Sequence, residues 1–190
     1  MAFLTFAVVV LIIITVKSAT TEFKVDLTGK TSSVWPFWES CSSFDHAYPA
    51  LRSDWQQQLK LTHDELGLKF VRFMGIFGDD IGISNPKNSK APYSYLNADV
   101  IYDYILSIDM KPIIELDFVP SNFLSDPESH LSKSVFPGFP MYMGPPDNNT
   151  QWYDLIYQFV THLVDRYGAD EVATWVVCTY ISCVSCISYI

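Results

Sequence analysis

The alternation of helix and strand is clearest in residues 95–120, which read YLNADVIYDYILSIDMKPIIELDFVP. Asn97 is a good helix N-cap, and an apolar helix face follows it at 3.6-residue spacing. That face consists of Val100, Ile101, Tyr104, Ile105 and Ile108. The next segment, 111–118, reads KPIIELDF and has the composition of a short buried strand. This stretch therefore predicts one helix-strand unit of an α/β protein.

The same alternation extends from this stretch towards both ends of the chain. Long loops follow the predicted strands, and short loops follow the predicted helices. The other predicted elements are a strand (34–44), a helix (52–66) ended by Gly67, a strand (69–75), a helix (152–164) and an approach to a fourth strand (169–175). The loop at 119–149 holds six prolines, and loops of this length inside a compact domain are usually functional.

A β-α-β-α-β-α-β order predicts a parallel sheet with right-handed crossovers. Two architectures fit, a (β/α)8 TIM barrel and a doubly wound sheet. A doubly wound sheet usually has a glycine-rich turn after its first strand, and residues 40–43, SCSS, contain no glycine. The sequence thus favours the first half of a barrel, about four strands, with an apolar inner face.

The two ends of the chain differ in composition from its middle. Residues 1–19 begin with an apolar run of about 15 residues, the length of a signal-peptide core. An uncleaved signal anchor, and with it a membrane attachment, stays open because the run has no preceding Lys or Arg. The segment 176–190 is an apolar tail without charge that holds three of the four cysteines, a poor disulfide framework.

The leader predicts entry into the secretory pathway and an extracellular or lysosomal protein. The motif Asn148-Asn149-Thr150 is consistent with this route, because it is an N-glycosylation acceptor in a polar loop. The net charge of −9 and the lack of Lys/Arg clusters argue against nucleic acid as a partner. The four histidines have no ligand spacing, so we expect no metal and no cofactor.

Several segments together resemble glycoside hydrolase family 39, the β-xylosidases and α-L-iduronidases. The resemblance covers residues 34–175 and is most specific in the string from Ile108 to Pro120, IDMKPIIELDFVP. The other segments are FWESCSSFDHA (37–47), LGLKFVRFMGIFGDDIGI (66–83) and PPDNNTQWYDLIYQFVTHLVDRYGADEVATW (145–175). The resemblance implies a (β/α)8 barrel that hydrolyses glycosidic bonds of xylosides or uronic-acid glycosides with retention, using two carboxyl groups.

The chain departs from the family pattern at two places. The family places Phe-Glu-x-Trp-Asn-Glu-Pro after the position of Trp175, with the acid/base Glu inside it, whereas this chain continues VVCTYISC. The family nucleophile would lie beyond residue 190, so we expect no catalytic residue here and no hydrolysis by this chain. The second departure is Met74, which stands where the family has a histidine in Arg-x-His-Gly.

Five residues are candidates for contact with a sugar: His46, Asp79, Asp80, Glu115 and Phe118. The resemblance implies a sugar contact for His46, which as a lone loop histidine would otherwise be unremarkable. The two aspartates fit either a cleft or loop capping, and Glu115 either the cleft or a buried pairing with Arg72. These candidates also leave open a non-catalytic carbohydrate-binding or interaction protein.

Overall fold

The computed structural model describes residues 40–84, 92–132 and 141–178, together with Phe23, Lys24 and Thr28. The chain divides into two compact units, Met1–Val34 and Trp35–Ile190, and nearly all described residues belong to the second. The predicted leader, most of the predicted first strand and most of the apolar tail lie outside the described residues. Within the described part, no helix has the length and apolar character needed to cross a membrane.

The second unit alternates strands and helices. The strands are β1 Cys41–His46, β2 Phe70–Met74, β3 Lys111–Glu115, β4 Leu131–Ser132, β5 Met141–Tyr142 and β6 Val176–Cys178. The α-helices are α1 Ser53–Leu66, α2 Leu96–Ser107, α3 Pro127–His130, α4 Asn149–Tyr167 and α5 Ala169–Val172, with 3-10 turns at Tyr48–Leu51 and Ser121–Phe123.

The main sheet confirms the predicted parallel topology. Its four strands lie in the order β1-β2-β3-β6, and every neighbouring pair is parallel. One buried cluster joins the sheet to all three long helices through Leu59 of α1, Ile101 of α2 and Phe159 of α4, packed with Phe73 and Ile114. Strands in sequential order with their helices on one face form the wall of a barrel, whereas a doubly wound sheet carries helices on both faces.

The fourth strand is made of residues that the sequence analysis assigned to the apolar tail. Val176–Cys178 pair in parallel with β3, in the register Ile113↔Val176 to Glu115↔Cys178. Cys178 is disulfide-bonded, whereas Cys41 is a free thiol. The barrel wall therefore continues past Trp175.

Helix α2 differs from the prediction at its start and on its buried face. The helix begins at Leu96, and Asn97 is not its N-cap, since its side-chain Nδ2 donates to the carbonyl of Ile81 at 2.9 Å. Tyr102 is fully buried, whereas Val100 is exposed. The buried face consists of Ala98, Ile101, Tyr102 and Ile105, so it is rotated about the helix axis from the predicted face.

The face of the sheet opposite the helices is not purely apolar, contrary to the expectation. Ser43, Arg72 and Ile113 share it through the strand register. Arg72 Nη2 lies 2.5 Å from Glu115 Oε1, and the Glu115 side chain is only 2 % exposed. The ion pair explains how a carboxylate can lie inside a barrel, because a buried charge needs a partner.

The residue that caps the N-terminus of helix α4, Asn148, is also the predicted glycosylation site. The Asn148 side chain accepts hydrogen bonds from the main-chain N–H groups of Thr150 at 2.9 Å and Gln151 at 3.2 Å. Asn148→Ala should therefore lower the free energy of unfolding by about 1 kcal/mol. Thr150→Val is the control, because it removes the glycosylation motif and keeps the cap. Chemical denaturation of unglycosylated protein measures both, and equal losses would contradict the capping role.

Candidate active site at the carboxyl ends of the strands

Polar and aromatic side chains from three neighbouring strands meet where those strands end. His46 is the last residue of β1, Gly75 follows β2, and Asp117 and Phe118 follow β3. Because the strands are parallel, their carboxyl ends lie at one edge of the sheet, the edge at which barrel enzymes build their active sites. We call His46, Gly75, Asp80, Asp117 and Phe118 the strand-end cluster.

The His46 imidazole packs directly against Gly75. The Gly75 φ of +82° is a conformation that favours glycine. A Cβ atom at this position would lie 2.4 Å from His46 Cδ2 and 3.0 Å from a Phe118 ring carbon. The His46 and Phe118 ring centroids are 5.9 Å apart. The glycine thus permits a close approach of the histidine ring that no other residue would allow.

Asp80 lies beside the Nε2 atom of the same imidazole. Its Oδ2 lies 3.4 Å from His46 Nε2, and its Oδ1 accepts from the main-chain N–H of Ile81 at 3.0 Å. Burial raises the pKa of the Asp80 carboxyl, and the nearby His46 opposes this shift. Asp80 is thus fixed on one oxygen by Ile81 N–H, and its other oxygen lies within ion-pair distance of the imidazole without a hydrogen bond to Nε2.

Asp117 joins the loops after β2 and β3. Its Oδ1 accepts from the main-chain N–H of Gly75 at 2.6 Å, and its main-chain oxygen accepts from Phe77 N at 2.8 Å. The pKa of Asp117 is raised from 3.8 to about 7, chiefly by burial; the hydrogen bond from Gly75 N–H lowers it, the charge of Glu115 raises it and the charge of Arg72 lowers it. The group is therefore poised to change charge near neutral pH.

The raised pKa of Asp117 predicts how stability changes with pH. The folded state binds the proton more tightly than the unfolded state, so the stabilising effect of protonation is full below about pH 4 and is lost as pH rises to about 7. Asp117→Asn keeps an acceptor for Gly75 and cannot ionise. We expect this variant to gain stability relative to wild type between pH 5 and pH 8, measured by urea unfolding. A constant difference across that range would contradict the raised pKa.

A cavity of about 330 Å³ opens beside the cluster. It is lined by Asp117 and Phe118 and by mainly apolar groups of the following loop and α4, among them Tyr142, Met143 and Trp152. Its volume is at the lower end of the range for small-ligand pockets. The Asp117 carboxyl thus lies between this cavity and the Gly75 amide.

The structure brings three of the five predicted site residues together, namely His46, Asp80 and Phe118. Asp79 instead accepts from the main-chain N–H of Ser121 at 3.0 Å and ties the loop after β2 to the turn after β3. Glu115 pairs with Arg72 inside the sheet, the second of its two predicted roles.

Two members of the strand-end cluster were not predicted from the sequence. Asp117 was expected within a strand ending at Phe118, but β3 ends at Glu115, so its direction is set by the loop and not by the strand alternation. The function of Gly75 depends on its contact with His46, 29 positions away along the chain, and no local pattern reveals such a contact. Among the described residues, no three His, Cys, Asp or Glu side chains form a group that could hold a metal ion.

The parallel wall and its strand-end cluster define the class of fold, one wall of a β/α barrel with polar and aromatic side chains gathered at the carboxyl ends of its strands. The sequence model of glycosyl hydrolases family 39 matches residues 21–181, and the chain belongs to this family. The first half of a (β/α)8 barrel, expected from the sequence, is thereby confirmed.

Similar proteins agree with this assignment. The chain is 39 % identical over 143 residues to a β-xylosidase of Caldicellulosiruptor saccharolyticus, covering 73 % of this chain and 28 % of that protein. A β-xylosidase of Geobacillus stearothermophilus is 30 % identical over 142 residues, covering 73 % and 27 %. The crystal structure of a monomeric β-xylosidase from Caulobacter crescentus CB15 superposes with a TM-score of 0.67 at 34 % identity, covering 77 % and 28 %. This chain thus spans less than a third of each relative.

Proposed function

We propose that the strand-end cluster is the sugar-binding part of a glycoside hydrolase that acts on xylosides with retention. The observation that carries the proposal is the His46 imidazole, 6 % exposed, held between Gly75, Asp80 and Phe118 at the active edge of the sheet. An imidazole donates to or accepts from sugar hydroxyls, and an aromatic ring packs against the C–H face of a pyranose. These two groups side by side suit a monosaccharide unit.

Three carboxylates near this edge already have fixed partners. Glu115 pairs with Arg72, Asp79 accepts from Ser121 N–H, and Asp117 accepts from Gly75 N–H. Retention requires one carboxyl group to protonate the leaving oxygen and another to attack the anomeric carbon. This supports the view that residues 1–190 bind the sugar and that the two reacting carboxyl groups belong to other parts of the barrel.

The charge near the cluster favours a neutral sugar. A uronic acid carries a carboxylate that needs a cationic partner, and the guanidinium of Arg72 is engaged by Glu115. The nearby acidic groups of Asp79, Asp80 and Asp117 would repel that carboxylate when ionised. A xyloside, which has no charge, avoids this cost and agrees with the named relatives.

A chimera tests the proposal directly. Residues 40–178 would replace the matching segment of the Caldicellulosiruptor saccharolyticus β-xylosidase, which supplies the rest of the barrel. We expect the chimera to hydrolyse aryl β-xyloside and to leave an aryl iduronide intact, and His46→Ala in the chimera should lower kcat/KM about 100-fold. A folded chimera, verified by circular dichroism, that cleaves the iduronide or neither substrate would overturn the proposal.

The engaged carboxylates also favour a second candidate, carbohydrate binding without chemistry. The full 190-residue chain would then bind xylo-oligosaccharides in calorimetry and release no xylose from them. Release of xylose that is lost in His46→Ala would reject this candidate.

The proposal also covers the cellular location of the protein. We propose that it enters the secretory pathway and becomes extracellular or lysosomal, with a glycan on Asn148. The disulfide at Cys178 supports an oxidising compartment, and the exposed position of Asn148 supports access by the glycosylation machinery. Expression in eukaryotic cells tests this, because a protein retained in the cytosol without glycan would contradict it.

A further inference from the structure

We propose that Asp117 is a positioning residue of the sugar site, whose side-chain oxygen holds Gly75 in place as the support of His46. The inference rests on the proposed function, because it assigns Asp117 a role in that same site. The link that the structure shows from Asp117 towards His46 is its hydrogen bond to Gly75 N–H. Its effect is transmitted through the main chain of Gly75.

The first step is the double attachment of Asp117 to the loop after β2. Asp117 Oδ1 accepts from Gly75 N–H at 2.6 Å, and its main-chain oxygen accepts from Phe77 N–H at 2.8 Å. The two bonds bracket Ile76, which is buried. The loop is therefore fixed at both ends of a three-residue segment, and only the bond to Gly75 depends on the identity of the side chain.

The second step is the tight packing of His46 on that segment. The space above the Gly75 α-carbon is filled by the imidazole, at distances of 2.4 Å and 2.6 Å from the position of an added Cβ to Cδ2 and Nε2. The end of β1 is also tied to β2, since Ala47 N–H donates to Met74 O at 2.8 Å. A shift of Gly75 would thus be passed directly to the histidine ring.

The third step concerns the length of the side chain at position 117. An Asp or Asn side chain places an oxygen within hydrogen-bond reach of Gly75 N–H, whereas a shorter side chain does not. Asp117 also lines the 330 Å³ cavity, so its side chain connects the cavity to the support of His46.

The test follows the His46 imidazole by NMR in the full chain, with methyl β-D-xyloside as the probe. Asp117→Ala should shift the His46 ring resonances and weaken binding of the xyloside about tenfold, whereas Asp117→Asn, which keeps the acceptor, should leave both near wild type. Asp147→Ala is the control for the loss of an aspartate that accepts a loop N–H, because Asp147 accepts from Ser125 N–H and not from Gly75.

The outcomes separate this inference from the proposed function. Unchanged His46 resonances in Asp117→Ala would overturn the inference even if the wild type binds xyloside. Asp117→Ser, too short to reach Gly75 N, takes the place of Asp117→Ala if the alanine variant does not fold. The wild type could bind no xyloside while the His46 resonances still move in Asp117→Ala and not in Asp117→Asn. That result would support the positioning role of Asp117 and reject the proposed sugar site.

Discussion

Replacing Arg72 by alanine is expected to lower the free energy of unfolding of the chain by about 3 kcal/mol. The variant leaves the Glu115 carboxylate, 2 % exposed, inside the sheet without its 2.5 Å partner. We place the loss at the lower end of the range for a broken buried pair, since the Arg72 side chain is itself 30 % exposed. Urea denaturation at pH 7 measures the difference.

Two control variants separate the buried charge from other effects of the substitution. Arg72→Met with Glu115→Gln removes both charges and should recover most of the loss, because a neutral pair carries no uncompensated charge. Lys60→Ala breaks an exposed ion pair with Asp64 on α1 and should cost less than about 1 kcal/mol. Equal effects of the Arg72 and Lys60 substitutions would show that Glu115 does not depend on the guanidinium.

Gly75→Ala is the second substitution with a large expected effect. The φ of +82° costs an alanine about 1–2 kcal/mol. The new methyl group would also overlap the His46 imidazole, adding about 1–3 kcal/mol. We therefore expect a total loss of about 3 kcal/mol in unfolding free energy, together with loss of xyloside binding because His46 must move.

Gly67 provides the matched control for this prediction. It ends α1 with a φ of +70°, but nothing lies within 4 Å of an added Cβ. Gly67→Ala should therefore show only the backbone cost, about 1 kcal/mol, and leave binding unchanged. If the two glycine variants lose the same free energy of unfolding, then the close contact of His46 with Gly75 adds nothing to the cost of the Gly75 substitution.

The sequence predicted the barrel wall because its signals are local. Gly67 ends α1 as predicted, and the apolar spacing of α4 places Leu155, Phe159 and Leu163 in the core. The predictions that went wrong depended on distant partners. Asn97 resembles an N-cap, but its amide is used by Ile81, whose position is set by the loop after β2.

The same distinction holds for the candidate site. The family resemblance implied a sugar contact for His46, and the structure brings His46 together with Asp80 and Phe118 because strand ends in a β/α-barrel converge at one edge. The parts played by Asp79 and Asp117 were not predictable, because each depends on a main-chain N–H about 42 positions away along the chain. The inner face was expected to be apolar, because the sequence did not decide between two positions of Glu115. These were a buried pairing with Arg72 and a place in the cleft.

The most direct test of the account is an NMR titration of the full chain with methyl β-D-xyloside, observed at the histidine side chains. His63 is an internal control, since its Nδ1 contacts Leu68 O at 2.6 Å near the end of α1, away from the strand-end cluster. We predict saturable shifts of the His46 resonances and none at His63. A saturated titration with His46 unmoved, or equal shifts at His46 and His63, would contradict the assignment of the strand-end cluster as the sugar site.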